Sequence, residues 1–238
     1  PGGRGGHEQV SRAALEPVRQ HRPGRCAGEA DGHRAQVTGR HPGDGERGAL
    51  GKGDDALLRA VVAMMEDGGL TVVGAHEIEP DLLAPAARLG KVSVPKSQKA
   101  AIEAGIVAAN ALGALDAGQA VVVLGTRVVA LEGAEGTDAM LQRVADLRAI
   151  GRLGRRKGGV LVKLRKPGQD IRVDMPTIGR NTVAGAASAG LAGIAVHGEN
   201  TLVMDRQTTI ADADAAGLFL VGLDPHAVER TWTGEHTR

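Results

Sequence analysis

Apolar residues recur at the spacing of helices and strands from Gly51 onward, and only sparsely before it. The pattern predicts a helix over residues 54–67, ended by Gly68 and Gly69, whose apolar face consists of Leu57, Leu58, Val61, Val62 and Met65. Ser97 is the predicted N-cap of the next helix. Further helices are predicted over residues 97–115, 137–147, 178–189 and 208–216.

Short apolar runs between these helices predict strands. A hairpin is expected over residues 119–131, with its turn at Thr126 and Arg127. Other strands are predicted at 70–74, 160–164, 172–174, 193–196, 201–204 and 218–221, with 193–196 and 201–204 paired. Because strands and helices alternate, we predict an α/β fold, a layered mixed sheet with flanking helices whose sheet is partly parallel.

The first 50 residues differ from the rest of the chain in composition and in the spacing of apolar residues. They are rich in Gly, Arg, His and Pro, and their few large apolar residues are too irregular to build a core. We predict that residues 1–50 are disordered. Two explanations stay open, a GC-rich gene translated out of frame and a genuine low-complexity basic arm. Residues 51–96 are then a linker and partial interdomain segment, 97–225 an α/β domain, and 226–238 a polar tail.

The amino-acid composition limits the classes of protein to which the chain can belong. Phe219 and Trp232 are the only aromatic residues, so the core must be aliphatic. The single cysteine, Cys26, excludes a disulfide framework and favours a reducing compartment. No apolar run reaches the roughly 18 residues of a membrane span, which predicts a soluble, cytoplasmic protein.

Acidic and basic residues nearly balance after Leu50, and this balance argues against nucleic acid as a partner. One stretch of residues, 148–166, contains many cations and no acid. Its basic members are Arg148, Arg152, Arg155, Arg156, Lys157, Lys163, Arg165 and Lys166. It is either a solvated linker or a patch for phosphate groups or an anionic membrane surface.

Three acidic loops bracketed by Gly or Pro are candidate sites for chemistry: residues 52–55, 132–138 and 172–179. Carboxylates from separate loops can share one Mg²⁺ with substrate phosphates. Helix capping explains Asp54 and Asp138 equally well, and Glu132 and Glu135 are also typical of a solvated turn.

Asp174 stands at a predicted strand end before the turn Pro176 to Gly179, a place where α/β proteins put reacting groups, although it too could be an N-cap. The strand period puts Arg172 on the same face as Asp174, where its charge would favour the ionised carboxylate. Two histidines, His76 and His197, follow predicted strands and either contact substrate or form structural hydrogen bonds.

A series of short blocks, taken together, resembles a known family. The blocks are residues 52–58, 74–77, 89–92, 135–141, 166–170, 173–179 and 189–194. In this order they resemble the UDP-2,3-diacylglucosamine pyrophosphatase of the lipid A pathway, of the type unrelated to the calcineurin-like phosphoesterases. The resemblance runs from about Gly51 to about Pro225.

The resemblance implies a Mg²⁺-dependent hydrolase. Such an enzyme splits the diphosphate of a lipid-linked UDP-sugar by water attack on the α-phosphorus, releasing UMP and the acylated sugar 1-phosphate. The family's critical aspartate falls on Asp174. We take Asp174, Glu135 and Asp138 as candidate metal ligands, and the candidate substrate-binding residues are Lys91, His76, Arg172 and Thr177. The basic stretch near Arg155 is a further candidate for binding phosphate.

The family's amino-terminal domain, which forms part of the site, has no counterpart here, so we expect poor or absent turnover. The alternatives are a non-catalytic module that binds a nucleotide or lipid, and a packing surface for a partner chain on the small-residue helix 178–189. A homodimer and contact with the inner-membrane surface are further expectations.

Overall fold

The computed structural model describes residues 54–154 and 156–233. The predictions for residues 1–50, for Lys52 and Gly53, for Arg155 and for the last five residues lie outside this part of the chain.

The helices and strands follow one another in the predicted α/β alternation. The helices are α1 Asp54–Asp67, α2 Ala75–Ile78, α3 Lys99–Ala114, α4 Gly136–Ala149, α5 Arg180–Ser188, α6 Arg206–Ala215 and α7 Pro225–Thr233. The strands are β1 Ala120–Leu124, β2 Arg127–Leu131, β3 Val160–Lys163, β4 Thr177–Ile178, β5 Gly193–His197, β6 Leu202–Val203 and β7 Phe219–Leu223. Short 3₁₀ turns occupy Pro80–Leu82 and Lys96–Gln98.

Five strands form one mixed sheet in the order β2-β1-β3-β5-β7. The strands β3, β5 and β7 are parallel, and the antiparallel hairpin of β1 and β2 extends the sheet on the β3 side. The short strands β4 and β6 form a separate parallel pair. The predicted layered mixed sheet with flanking helices is confirmed.

The core lies on both faces of the sheet because alternate residues of each strand point to opposite sides. On one face Leu161 and Ile194 belong to a buried cluster with residues of α4, α5 and α6. On the other face Val162 and Phe219 belong to a cluster with residues of α3 and α7. Burial on both faces explains why the parallel strands read as continuous apolar runs.

The parallel strands define two edges of the sheet that matter for function. We call the edge where β3, β5 and β7 begin the amino edge, and the edge where they end the carboxyl edge. Lys163, His197 and Leu223 end these strands at the carboxyl edge. Since β1 is antiparallel to β3, Ala120 pairs with Lys163, and the end of β2 and the start of α4 also come to this edge.

Several predicted elements differ from the structure. Residues 70–74 form no strand, and residues 172–174 form a turn because the Asp170 carbonyl accepts the Val173 and Asp174 N–H groups. The strands β5 and β6 do not pair with each other, since β5 lies between β3 and β7. Ser97 lies in a 3₁₀ turn and is not the cap of α3, whose N-cap position is Gln98.

The segments on either side of the predicted domain also contact it. Residues 83–89 follow the outer side of β7, where Leu89 N–H donates to the Leu220 carbonyl and Gly222 N–H to the Ala87 carbonyl, both at 2.9 Å. Helix α7 packs against α3 and buries Val228. Residues 225–233 therefore extend the folded part past the predicted start of the tail.

Candidate functional site

A buried lysine marks the carboxyl edge. Lys163 ends β3 on the same face as Leu161 and is only 7% exposed. Its Nζ donates hydrogen bonds to the Thr177 carbonyl and to Thr137 Oγ1, each at 3.0 Å. Burial lowers the pKa of Lys163, while the carboxylates of Glu132, Asp138 and Asp174 act in the opposite direction. The ammonium is therefore a desolvated charge held among acidic groups.

A buried carboxylate completes this polar chain. Glu132 follows β2, is 8% exposed, and accepts hydrogen bonds from Thr137 Oγ1 and, at 2.9 Å, from the Gln119 N–H. The Thr137 hydroxyl thus accepts from Lys163 and donates to Glu132, which uses both capacities of a hydroxyl group. Both Glu132 oxygens have partners, so the solvated-turn alternative does not hold for Glu132, whereas Glu135 is exposed.

Asp174 lies beside this chain in a cavity of about 480 Å³. Its Oδ2 accepts a hydrogen bond of 2.6 Å from Gln169 Nε2 and is 3.8 Å from Lys166 Nζ. Its side chain is 27% exposed, which leaves it accessible from the cavity. Asp116, Glu132, Gly136 and Lys166 also line this smaller cavity.

A larger cavity of about 890 Å³ adjoins the smaller one, with Gly136 lining both. Its wall includes the first turns of α4 and α5, the residue before α6, and the side chains of Lys163 and Thr177. The first turn of a helix presents unpaired N–H groups and the positive end of the helix dipole. This wall therefore offers several backbone donors to a ligand.

Two of the predicted metal ligands line the larger cavity and not the smaller one. They are Glu135 and Asp138, and Glu135 pairs with Arg143 at 2.7 Å. The Glu135 backbone N–H, followed by the Arg143 side chain, lowers the pKa of Glu135. Within residues 54–154 and 156–233 no three His, Cys, Asp or Glu side chains are grouped as a metal site. The set Asp174, Glu135 and Asp138 is thus not brought together as one site.

Arg172 does not pair with Asp174. Its Nε and Nη2 bind Asp170 at 3.0 and 2.7 Å, and its Nη1 binds Glu66 at 2.6 Å. The Arg172 side chain accordingly lowers the pKa of Asp170. The cation beside Asp174 is Lys166 instead, because the turn at residues 171–173 replaces the strand that would have aligned Arg172 and Asp174.

The remaining predicted contacts are spread over the molecule. His76 is half-buried on α2 with its ring against Gly74, near the Arg172 backbone. Thr177 lines the larger cavity. Lys91 is exposed and lies close to the amino edge, where its N–H donates to Asp214 near the end of α6 at 2.7 Å. Lys91 therefore does not join the other candidates.

The basic stretch is divided between the two edges of the sheet. At the amino edge, Arg148 donates to the carbonyls of Ala189, Gly154, Arg156 and Gly158 at 2.7 to 3.1 Å. At the carboxyl edge, Lys163 and Lys166 adjoin the cavities. Since β3 separates these groups, the described cations do not form one patch.

His197 ends β5 close to Arg165. Burial, followed by the charge of Arg165, lowers the pKa of His197 to about 4. Its Nδ1 is buried and has no hydrogen-bond partner among the described residues. His197 is therefore neutral near pH 7, and it lines neither of the two cavities.

The sequence prediction did not name Lys163, Thr137, Glu132 or Gln169 as site residues, although Glu132 and Thr137 lie in a candidate acidic loop and Lys163 lies in the basic stretch. A signal existed for Lys163, since the period of two puts it on the buried face of β3 with Leu161. Thr137 depends on its distant contact with Lys163. The contacts of Glu132 with Thr137 and of Gln169 with Asp174 join residues five positions apart, but they depend on turn geometry that the apolar spacing does not report.

Comparison with known proteins identifies the family of the chain. Residues 85–221 match the model of the LpxI C-terminal domain, which covers more than half of the chain. The chain belongs to the LpxI family. It is 49% identical over 178 residues to the UDP-2,3-diacylglucosamine pyrophosphatase LpxI of Caulobacter vibrioides. The aligned region covers 74% of this chain and 64% of that relative, so the chain spans less than two-thirds of the relative's length.

Among the described helices of this LpxI-family chain, none combines the length and apolar character needed to cross a membrane.

Proposed function

We propose that this chain carries the part of an LpxI enzyme that cleaves the diphosphate of UDP-2,3-diacylglucosamine, yielding UMP and 2,3-diacylglucosamine 1-phosphate. The observation that carries the proposal is Asp174, an accessible carboxylate in a cavity at the carboxyl edge, close to Lys163 and Lys166. The carboxyl edge is where α/β sheets place their reacting groups.

In this proposal Asp174 is the catalytic carboxylate. Its Oδ2 is held by Gln169, while the cavity gives a water molecule and a phosphate group room beside it. The carboxylate orients the water that attacks the α-phosphorus, and the bond to the bridging oxygen breaks, so that UMP leaves with the added oxygen.

Lys163 and the backbone N–H groups at the starts of α4 and α5 supply positive potential at the larger cavity. A diphosphate gains negative charge on the leaving phosphate as the bond breaks, and fixed donors in a dry site stabilise that charge. Thr177 is a further candidate contact because it lines the same cavity.

We also propose that the reaction uses Mg²⁺. A Mg²⁺ ion keeps several waters and binds one or two carboxylates together with substrate phosphates, so Asp174 with the diphosphate oxygens makes an adequate donor set without Glu135 and Asp138. When bound, the ion would neutralise charge on the phosphate oxygens.

The decisive experiment measures UMP release from the UDP-lipid by this chain, by Asp174→Asn, and by Asp146→Asn as a matched control. Asp146 also accepts a hydrogen bond from a glutamine, Gln142, but it lies on the exposed side of α4. We expect Asp174→Asn to abolish UMP release and Asp146→Asn to leave it unchanged. Equal, measurable UMP release by all three proteins would refute the role of Asp174, and insensitivity of that release to EDTA would refute the use of Mg²⁺.

A second candidate is a module that binds the UDP-lipid without hydrolysing it. The backbone donors at the starts of α4 and α5 in the larger cavity account for phosphate binding without a catalytic group, which favours this alternative. Binding of the UDP-lipid in calorimetry, with no UMP released by a large excess of protein, would support it.

Because the substrate is acylated, we further propose that the domain works at the cytoplasmic face of the inner membrane. Exposed apolar side chains on α1, among them Leu57, Met64 and Met65, offer a surface for that contact. Failure of the chain to sediment with lipid vesicles would rule this out. The homodimer stays a prediction, and the mass of the chain in solution tests it.

A further inference from the structure

The turn before Asp174 has a defined geometry. Lys166, Pro167, Gly168 and Gln169 form a type II turn, with proline in the second position and Gly168 at a φ of 75° in the third. The Gln169 N–H donates to the Lys166 carbonyl at 3.3 Å and closes the turn. Because a type II turn requires positive φ at its third residue, the Pro-Gly pair fixes the backbone of Gln169.

The side chain of Gln169 is fixed as well. It is 3% exposed, and its Oε1 accepts the Lys166 N–H at 3.0 Å. Since the carbonyl end of the amide is used by a backbone donor, the amide nitrogen faces Asp174, to which it donates at 2.6 Å.

Asp174 has a competing partner. Lys166 Nζ lies 3.8 Å from the same Oδ2 and binds Asp116 at 2.8 Å. A partly exposed carboxylate next to an ammonium can rotate to form a closer ion pair, and that rotation would change the orientation of both carboxylate oxygens in the cavity. The hydrogen bond from Gln169 opposes the rotation and leaves Oδ1 for a ligand.

We propose that Gln169 is a positioning residue that holds the Asp174 carboxylate in its reactive orientation. This inference rests on the proposed function, because it assigns Gln169 an effect on the reaction through Asp174. Gln169 itself touches no reacting atom.

The chain contains a matched control for this contact. Gln142 Nε2 donates to Asp146 Oδ1 at 2.9 Å on the exposed side of α4. The same substitution can therefore be made at a glutamine–aspartate pair inside the site and at one outside it.

The test compares UMP release by Gln169→Glu, Gln169→Met and Gln142→Glu across pH about 5.5 to 8. An ionised carboxylate at position 169 repels Asp174, but a protonated one donates its O–H to Asp174 as the amide did. We expect kcat of Gln169→Glu to fall by about 100-fold at the upper pH and to recover toward the unsubstituted chain at the lower pH. Gln169→Met should be impaired equally at every pH, and Gln142→Glu should be unaffected.

Two results would overturn the inference. One is full activity of both position-169 variants, and the other is an equal, pH-independent loss in both, which indicates a structural role only. Melting temperatures of the three variants, compared with the unsubstituted chain, identify loss of folding as the cause of any equal loss.

A second measurement does not need activity. In an amide NMR spectrum, Asp174→Ala should shift the side-chain NH₂ signals of Gln169 and speed their exchange with solvent, with no change at Gln142. If the unsubstituted chain releases no UMP, the proposed function fails while this contact is still tested. Unchanged Gln169 signals in Asp174→Ala would overturn the inference whatever the activity.

Discussion

The amino and carboxyl edges of the sheet use basic residues from one stretch of sequence in opposite ways. At the amino edge, Arg148 is bound to four backbone carbonyls in the segments that lead into β3 and β5. At the carboxyl edge, Lys163 is bound to Thr137 and Thr177 beside a cavity and close to three carboxylates.

A run of basic residues along the sequence therefore does not form one surface patch when a buried strand lies within the run. Strand β3 runs from the amino edge to the carboxyl edge, so Lys163 lies at the opposite edge of the sheet from Arg148. The burial of each cation then determines its role. The planar guanidinium of Arg148 donates hydrogen bonds to several carbonyls, whereas the ammonium of Lys163 is a compact charge of the kind that can bind a phosphate group.

The largest effect is expected from Lys163→Met, which removes the cation at the carboxyl edge. Loss of one stabilising charge beside a diphosphate should lower UMP release by about 100-fold or more. Glu132 and its neighbours lose a buried counter-charge, so the free energy of unfolding should fall by about 3 kcal/mol. Activity assays and urea unfolding measure the two effects, with Lys157→Met as the control at the amino edge. Normal UMP release by the folded variant would remove Lys163 from the mechanism.

Arg148→Met should affect the amino edge alone. Several carbonyls lose a charged donor, and we expect the free energy of unfolding to fall by about 2 kcal/mol. The rate of UMP release per folded molecule should stay unchanged, because the cavities lie across the sheet. If this variant lost as much activity as Lys163→Met at an equal folded fraction, the division between the edges would be refuted.

Acid should weaken the carboxyl edge through His197. Its pKa is lowered from 6.5 to about 4, so the folded state takes up a proton less readily than the unfolded state. The stabilisation from neutral His197 is complete above pH 6.5 and is lost as the pH falls toward 4. In His197→Leu this part of the acid sensitivity should disappear, so its melting temperature should rise relative to the unsubstituted chain as pH falls. Parallel curves for the two proteins would contradict the assignment.

The smallest effect is expected from Lys91→Met. This exposed lysine lies near the amino edge, beside the end of α6, so KM for the UDP-lipid should not change. A clear rise in KM would support the role in substrate binding that the sequence resemblance suggests, and would mean that the ligand reaches both edges.

Local sequence patterns predicted helices and strands well where the apolar residues follow a single period, either helical or strand-like. Residues 54–67 carry one apolar helical face and form α1 with the predicted bounds. The hairpin, α4 and β7 were also predicted to within a few residues, because their apolar spacing is regular. The hairpin turn was predicted one residue too late, since it lies at Gly125 and Thr126 and Arg127 begins β2.

The errors concern the pairing of strands that are distant in sequence and a turn whose residue spacing resembles that of a strand. Nothing local shows that β5 pairs with β3 and β7 and not with the nearby β6. The short run before Asp174 has strand-like spacing, yet the Asp170 carbonyl folds it into a turn. Asp174 was predicted as a candidate because it precedes the turn from Pro176 to Gly179. Its hydrogen-bond donor Gln169 was not predicted, because their contact depends on the turn that the strand-like spacing concealed.

The contact of residues 83–89 with β7 bears on how the outer side of β7 is kept from pairing with a strand of another chain. The outer side of β7 would otherwise expose unpaired backbone groups, which are a template for intermolecular pairing. Hydrogen bonds to the backbone at Ala87 and Leu89 occupy part of that template. A fragment cut at residue 97, where sequence periodicity alone begins the domain, would uncover β7 and become prone to aggregate.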